Sequence, residues 1–244
     1  MSPAVAIYRR EFAAYFASPL AAVFIVIFLL LASAFTFYFG GFFEAGQADL
    51  VAFFRFHPWL YLLLVPAVSM GLWAEERKSG TLELLLTQPV TLWQAVLGKF
   101  FAAWSFLALA LALTFPMWIT VNWLGNPDNG VILASYLGSL LMAGAFLAIG
   151  GCLSAATRSQ VLAFILAVLV CLVFLLAGFP LALDPLRALL PQSTIDAVSA
   201  LSFLTHFQAI LRGVLDLRDV LYFALTILAW LLATVLVIEI RKAD

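Results

Sequence analysis

Six long stretches of the sequence carry no charged side chain, and this feature restricts the possible folds more than any other. A helix needs about 20 apolar residues to cross the hydrocarbon core of a bilayer. A central charge costs about 2.5–3.5 kcal/mol, whereas each apolar residue contributes only about 0.3–0.6 kcal/mol. With 66% hydrophobic and 10% charged residues, the 244-residue chain has more apolar surface than a soluble core of this size buries. The pattern predicts an all-α polytopic membrane protein that forms a single domain over residues 1–244. Its six predicted transmembrane helices are at 20–39, 58–74, 100–124, 131–156, 161–179 and 220–238.

Lysine and arginine are distributed unevenly over the two sides of this arrangement. Because the number of spans is even, both termini lie on the same side. That side has more cations, so the positive-inside rule predicts that both termini are cytoplasmic. The net charge of −1 gives no electrostatic reason to expect nucleic acid as a partner. The cytoplasmic side carries Arg9, Arg10, Arg77, Lys78, Lys99, Arg158, Arg241 and Lys242, and the outer side carries Arg55, Arg187, Arg212 and Arg218.

Residues 3–17 have the pattern of an amphipathic helix. Their apolar side chains recur at helical spacing, and Arg9 and Arg10 lie off that stripe. We predict an elbow helix in the cytoplasmic interface, ended by Pro19; a frayed terminus is the alternative. The stripe consists of Val5, Tyr8, Phe12, Tyr15 and Phe16.

Residues 75–99 form the only sizeable cytoplasmic loop in this topology. Gly80 permits a turn, Thr81 is suited to cap a short helix, and Glu83 lies in its first turn, where the helix dipole favours an acid. Pro89 ends the helix. A two-turn helix this rich in leucine must dock on a partner rather than remain exposed. Its apolar residues are Leu82, Leu84, Leu85 and Leu86.

The next helix has a start signal of its own. The segment Thr91-Leu-Trp-Gln94 matches a capping box, in which the first and fourth residues cap each other's backbone N–H groups. We therefore predict that a helix begins there and continues into the third span.

The loop at residues 180–219 is the longest segment predicted to lie outside. A helical stripe in its second half predicts one or two short helices at, or dipping into, the outer membrane face. Charged residues beside the stripe are candidates for a gate or for docking an outer partner, and a passive cap is the alternative. The stripe is Leu201, Leu204, Phe207, Ile210 and Leu211, and the candidate gate residues are His206, Arg212, Asp216, Arg218 and Asp219.

The fourth span is rich in small residues that recur every four positions, such as Gly144, Ala148 and Cys152. Small faces let helices approach closely. We expect this face to pack within the chain; packing between subunits is the alternative. Cys152 and Cys171 lie in apolar runs and indicate neither a disulfide nor a metal site.

The cytoplasmic loop EERKSGTLELLLTQPVTLWQAVLGKF resembles the signature of ABC-2-type permeases, the membrane subunits of one group of ATP-binding-cassette transporters. The N-terminal REFAAYFASPL and the outer SFLTHFQAILRGVLDLRDVLYF are similar to the gliding-motility-type branch of these permeases. The resemblance covers nearly the whole chain. The matching loop positions are Glu76, Gly80, Thr81, Leu82, Glu83, Leu85, Leu86, Pro89, Val90, Gly98 and Lys99.

The resemblance implies an ABC-2 or type V exporter-like fold in the bacterial cytoplasmic (inner) membrane. It implies that residues 76–88 form a coupling helix on a dimeric cytoplasmic ATPase. It also implies a second permease subunit, identical or related, and an accessory membrane or periplasmic protein. The residues implied in coupling are Glu76, Arg77, Gly80, Thr81, Leu82, Glu83, Leu85, Leu86 and Pro89.

The sequence lacks the phosphate-binding loop that ATP hydrolysis requires. In the only Gly-Lys pair, Gly98-Lys99, the next residue is Phe100 rather than Ser or Thr. We therefore predict a non-enzymatic permease subunit without a cofactor of its own. ATP and Mg²⁺ are expected on the partner ATPase, which would drive export or mechanical signalling.

Two alternative functions, that of an intramembrane protease and that of an ion-coupled secondary transporter, agree less well with the residues. An intramembrane protease could use Ser202 and His206, but no G-x-S-x-G motif accompanies them, and His57 and His206 are interpreted as interface residues. An ion-coupled secondary transporter usually has ionisable groups within its spans. Here every charged residue is assigned to a loop or a helix end, which disfavours that class.

Overall fold

The computed structural model describes residues 3–81, 90–179, 183–184, 191–213 and 215–241, which form helices and connecting loops without a strand. Helix α2 continues into a π-helical turn at Phe35–Phe39. The helices are α1 Pro3–Ala17, α2 Pro19–Ala34, α3 Val51–Arg55, α4 His57–Ser69, α5 Gly71–Ser79, α6 Leu92–Ala112, α7 Phe115–Leu124, α8 Asn129–Ala156, α9 Gln160–Leu176, α10 Gln192–Ser199, α11 Phe203–Leu211 and α12 Leu217–Ile240.

Five helical segments in the described residues are long and apolar enough to cross a membrane. The predicted fifth span, 161–179, is present as the shorter helix α9 with 17 residues, at the lower end of the roughly 17–25 residues that spanning helices use. The pair α10 and α11, bent by 67°, has the length and composition of a further broken span or re-entrant loop. The five segments are Ala21–Phe39, His57–Ser79, Leu92–Leu124, Asn129–Ala156 and Leu217–Ile240.

Helix α8 is the centre of the bundle. It packs against α4, α5, α6, α9, α11 and α12, and 72% of its most apolar window is buried, against 17% for the α2 segment. Its glycines make this possible: a Cβ at Gly138 would lie 2.9 Å from Ile210, and one at Gly144 would lie 2.9 Å from Ile227. The small face therefore packs within the chain, as the residue pattern favours.

Two of the spans are interrupted near a proline. In the second span the helix breaks at Met70, one turn after Pro66. In the third span the break falls at Leu113–Thr114, and Pro116 lies in the first turn of α7, where a missing N–H costs no hydrogen bond. The Thr114 hydroxyl donates to Leu111 O at 2.6 Å, so this carbonyl at the break accepts from both the N–H and the hydroxyl of Thr114.

Helix α1 lies along the first half of α6. Ile7 lies beside Gly98, the Tyr8 hydroxyl donates to Ser105 Oγ at 3.2 Å, and the Tyr15 ring stacks on Phe106 at 4.8 Å. Burial, together with the negative charge of Glu11, raises the pKa of Tyr15, so its phenol stays neutral. The helix thus has the predicted range, and its location in a membrane interface stays a prediction.

The stripe predicted in the outer loop faces the bundle. Leu204, Phe207, Ile210 and Leu211 are buried, whereas Leu201 is 55% exposed because it precedes the first turn of α11. The neighbouring Phe203 packs on Phe146 of α8 with ring centroids 5.1 Å apart. The two short helices therefore cover the end of the bundle with their apolar side chains turned inward.

The close contact of α8 with α4 gives a test of the fold. A Cβ added at Gly150 would lie 2.8 Å from Ser69 Cβ, so Gly150→Ala must push α4 away, at a cost of about 1–3 kcal/mol. At the adjacent Gly151, the new Cβ would meet only Leu72 Cδ1, at 3.7 Å. We expect Gly150→Ala to lower the thermal unfolding temperature in detergent and Gly151→Ala to leave it unchanged or raise it. Equal effects of the two variants would contradict the packing described here.

Candidate functional site

The last turns of α5 (Trp73–Ser79) and the first turns of α6 (Leu92–Lys99) flank the loop that is predicted to be cytoplasmic, and together they are called the loop stem. Residues 82–89 between them lie outside the described ranges. The predictions for Leu82, Glu83, Leu85, Leu86 and Pro89 therefore stay predictions.

The first half of the stem extends further than the sequence suggests. Helix α5 continues to Ser79, so Glu76 and Arg77 belong to the span's own helix and not to a separate coupling helix. Gly80 ends α5 with φ of +73°, a left-handed conformation that glycine adopts without strain. The Thr81 hydroxyl donates to Glu76 O at 3.4 Å and contacts Ser79 Oγ at 2.9 Å. Thr81 thus contributes to the end of α5, and its predicted capping of the following helix concerns residues outside the described ranges.

Lys99 joins three helices at the base of the stem. It is only 3% exposed, and its Nζ lies 2.9 Å from Glu76 Oε1 on α5 and 3.4 Å from Glu11 Oε2 on α1. The ammonium also lies 5.2 Å from the ring centroid of Trp73, within range of a cation–π interaction. Arg10 binds the other oxygen of Glu11 at 2.7 Å, so two cations balance two carboxylates. This cluster fixes α1, α5 and α6 to one another.

The position of Lys99 corrects an expectation from the sequence. Every charged residue was expected in a loop or at a helix end, but Lys99 is buried within α6. A buried cation is tolerated there because Glu11 and Glu76 supply opposite charge and the Trp73 ring covers it. The same contact directs the Glu76 carboxylate toward Lys99, and 19% of the Glu76 side chain remains exposed.

A second set of contacts ties α5 to the central helix. Ser154 Oγ of α8 accepts hydrogen bonds from the N–H groups of Trp73 and Ala74 at 3.1 and 3.0 Å. Its own proton goes to Met70 O at 2.7 Å, so one hydroxyl satisfies three backbone groups around the helix break. Arg77 donates to Ala155 O at 2.6 Å. Arg77 is therefore bound to the end of α8, which was not foreseen from its place in the loop signature.

The second half of the stem begins with the predicted capping box, which the structure confirms. Thr91 Oγ1 accepts from the Gln94 N–H at 3.4 Å, and Gln94 Oε1 accepts from the Thr91 N–H at 3.1 Å. The start of α6 is thus fixed only two turns before Lys99.

At the opposite end of the bundle, two of the candidate gate residues form a buried pair. His206 Nδ1 lies 2.6 Å from Asp219 Oδ1, and its Nε2 lies 3.0 Å from Ala200 O. The imidazole also stacks on the Tyr222 ring with centroids 3.9 Å apart, and the Tyr222 hydroxyl donates to Leu201 O. The pair fastens the turn between α10 and α11 to the start of α12.

The other three candidate gate residues lie outside this pair. Arg212, Asp216 and Arg218 are exposed. Asp216 caps α12 by accepting from the Arg218 N–H at 3.1 Å. Sequence reasoning grouped all five residues because they are close along the chain, and the structure brings together only His206 and Asp219.

The protease alternative has no support in this geometry. Ser202 Oγ accepts from the N–H groups of Leu204 and Thr205, and it donates to Leu175 O at 3.4 Å. The ring nitrogen of His206 that would take a proton from a nucleophile is bound to Ala200 O. Ser202 and His206 thus have separate structural partners, whereas a catalytic pair needs a hydrogen bond between its members.

The interpretation of His57 as an interface residue is wrong. Its side chain is fully buried, with Nδ1 2.7 Å from Ser139 Oγ, and Tyr61 binds the same hydroxyl at 2.7 Å. Phe53 and Phe54 pack edge-on against the imidazole at 4.6 and 5.0 Å. The position of His57 before a proline at the end of a span gave no signal of this enclosure, which depends on aromatic residues of α3.

A comparison with protein families gives a match over almost the whole chain. The model described as "ABC-2 family transporter protein" matches residues 5–240, from the first turn of α1 to the last residue of α12. No curated protein matches the sequence. The matched range includes both the loop stem and the buried His206–Asp219 pair.

The Lys99 cluster predicts a large difference between two lysines on the stem. Lys99→Met keeps the side chain's length but leaves Glu11 and Glu76 without their common counter-ion; breaking a buried ion pair costs about 3–5 kcal/mol. Lys78 is exposed, and Lys78→Met is the matched control. We expect Lys99→Met to lower the thermal unfolding temperature in detergent strongly and Lys78→Met to leave it nearly unchanged. A Lys99→Met protein as stable as the control would show that the cluster does not hold the three helices.

Proposed function

This chain belongs to the ABC-2 family of transporter proteins, and from that membership we propose that it is a permease subunit that couples ATP hydrolysis on a separate subunit to work across the membrane. The family consists of membrane components of ABC transporters, which implies a multi-pass membrane protein with an ATPase partner. The nearly complete coverage of the chain is the observation that carries the proposal.

We propose that the ATPase docks on residues 82–89. Glu76 binds Lys99, and Arg77 donates to Ala155 O, so both side chains have contacts within the chain although each is partly exposed. The partner-facing part of the loop signature is then its leucine-rich half, which begins after Gly80. Burial of leucine side chains provides affinity at about 25 cal/mol per Å², while the acid at Glu83 sets register and specificity.

The loop stem is suited to pass a movement of these residues into the bundle. One flank is bound to α8 through Ser154 and Arg77, and the other is bound to α1 and α5 through Lys99. Helix α8 in turn packs on most of the remaining helices. A displacement of the loop would therefore move the helices as rigid bodies, since closely packed helices do not deform continuously.

The finer assignments are part of the same proposal. We place the chain in the bacterial inner membrane with both termini in the cytoplasm, paired with a second identical or related permease. The likeness of REFAAYFASPL and the outer loop to the gliding-motility-type branch supports a role in export or in mechanical signalling, with an accessory membrane or periplasmic protein.

Docking on the leucine-rich segment is tested by Glu83→Lys combined with Leu85→Asp. The first change inverts a charge. The second introduces a carboxylate where a desolvated contact is expected, and a buried charge without a partner costs about 3–5 kcal/mol. Because neither residue lies in a candidate span, the variant should reach the membrane at a normal level. We expect that the ATPase no longer co-purifies with it.

The matched control makes the same substitutions at the other end of the bundle, as Glu44→Lys combined with Leu215→Asp. Both side chains are exposed there. This control should retain the ATPase in full. If the Glu83→Lys, Leu85→Asp variant also retains it with normal ATPase activity, the segment is not the docking site.

The orientation is tested with reporter fusions. The excess of lysine and arginine on one side predicts that reporters after Gly80 and at Asp244 are cytoplasmic, and that reporters after Leu124 and Leu190 are outside. A cytoplasmic signal from the fusion after Leu190 would contradict both the six-span count and the location of α10 and α11.

A further inference from the structure

An amphipathic cavity lies between α3 and α11, at the end of the bundle opposite Lys99. Its volume is about 380 Å³, within the roughly 300–1,000 Å³ typical of small-molecule sites. Most of the lining is apolar, and the polar groups on its rim are Arg55, Gln208 and Arg212. The apolar part consists of Val51, Pro58, Leu204, Phe207 and Leu211.

Within the described part of the chain, the positive charge of this cavity has no compensating carboxylate. No acidic side chain of those residues lines it, and neither Arg55 nor Arg212 forms an ion pair with any of them. Two guanidinium groups and an amide beside an apolar floor match a molecule with an anionic oxygen-rich head and an apolar body. Guanidinium groups bind phosphate oxygens in a bidentate manner, which makes phosphate a better match than a halide or another simple anion.

The position of the cavity decides which amphipathic anion reaches it. Arg55 immediately precedes the span that begins at His57, and Arg212 closely precedes α12, which begins at Leu217. Both arginines thus lie at the level where the spans end, which is the depth of lipid headgroups. From this geometry we propose that the cavity is a binding site for the headgroup of an anionic phospholipid, whose phosphate is bound by Arg55 and Arg212 and whose glycerol and upper acyl carbons lie on the apolar floor.

Binding of the lipid would also affect how α11 is held in the bundle. The side of α11 that lines the cavity carries Leu204, Phe207 and Gln208, and His206 fastens the same helix to α12. A bound lipid would therefore bridge α3 and α11 at a place where few protein side chains connect the two helices. The lipid would thus be an exchangeable component of the packing between α3 and α11.

The test is native mass spectrometry of the delipidated full chain, given phosphatidylglycerol and phosphatidylcholine with identical acyl chains. We expect retention of phosphatidylglycerol in preference to phosphatidylcholine. Arg55→Gln combined with Arg212→Gln should reduce phosphatidylglycerol retention about tenfold or more, because each charge-assisted hydrogen bond contributes strongly to binding. Retention of phosphatidylcholine should not change. Arg218→Gln, which removes an exposed arginine outside the cavity, should behave as the wild type.

A second variant and a competitor complete the experiment. Val51→Glu adds a carboxylate to the cavity one helical turn from Arg55, so it should also abolish the preference without removing an arginine. Equal retention of the two lipids by the wild type, or an unchanged preference in both variants, would overturn the proposal. Displacement of the lipid by inorganic phosphate alone would overturn it as well, because it would identify a site for a small free anion.

Discussion

Close approach of helices to α8 is the constraint on which the rest of the structure depends. In a bilayer the surrounding lipid is as apolar as the side chains, so helices associate through van der Waals contact and hydrogen bonds rather than through a hydrophobic force. Glycine at 138, 144 and 150 lets Ile210, Ile227 and Ser69 approach the backbone of α8. Once these contacts are made, α8 arranges the spans, and the polar groups at both ends of the bundle become buried between them.

Two arrangements of buried polar groups work in different ways. At the loop stem, charge is neutralised by charge, since Lys99 lies between Glu11 and Glu76. Inside the bundle, hydroxyl groups complete the backbone hydrogen bonds that helix breaks leave open, as Ser154 does at Met70. Both devices hold irregular or charged segments in place, and at the loop stem the cluster does so while Arg10, Glu11 and Glu76 remain partly exposed. Under the proposed function, these contacts lie where the helices meet the loop.

Local sequence signals predict where the helices lie but not which side chains contact one another. The apolar windows and the Thr91–Gln94 capping box depend on neighbouring residues; the capping box is found as expected, and five of the six windows lie in helices long enough to span, the other being the shorter α9. The Lys99 cluster joins residues 11, 76 and 99, and no local pattern reveals such a distant pairing. Glu76 and Arg77 were assigned to a partner surface because they stand in the loop signature. Both lie in α5, which remains helical up to Ser79, and both have contacts within the chain while staying partly exposed, so their role in coupling stays a prediction.

The length of the third span has a mechanical consequence. Its helical segment runs from Leu92 to Leu124 over 33 residues, about 50 Å at the rise of an α-helix, whereas the hydrocarbon core is only about 30 Å thick. The segment must therefore tilt or project from the bilayer. Helix α6 is held at Lys99, which lies about 10 Å along the helix from Leu92 at the loop end and about 20 Å from Ala112 at the other end. If α6 turns as a rigid rod about Lys99, a sideways displacement of Leu92 moves Ala112 in the opposite direction through about twice that distance, and α1, which lies along α6 as far as Phe106, must turn with it.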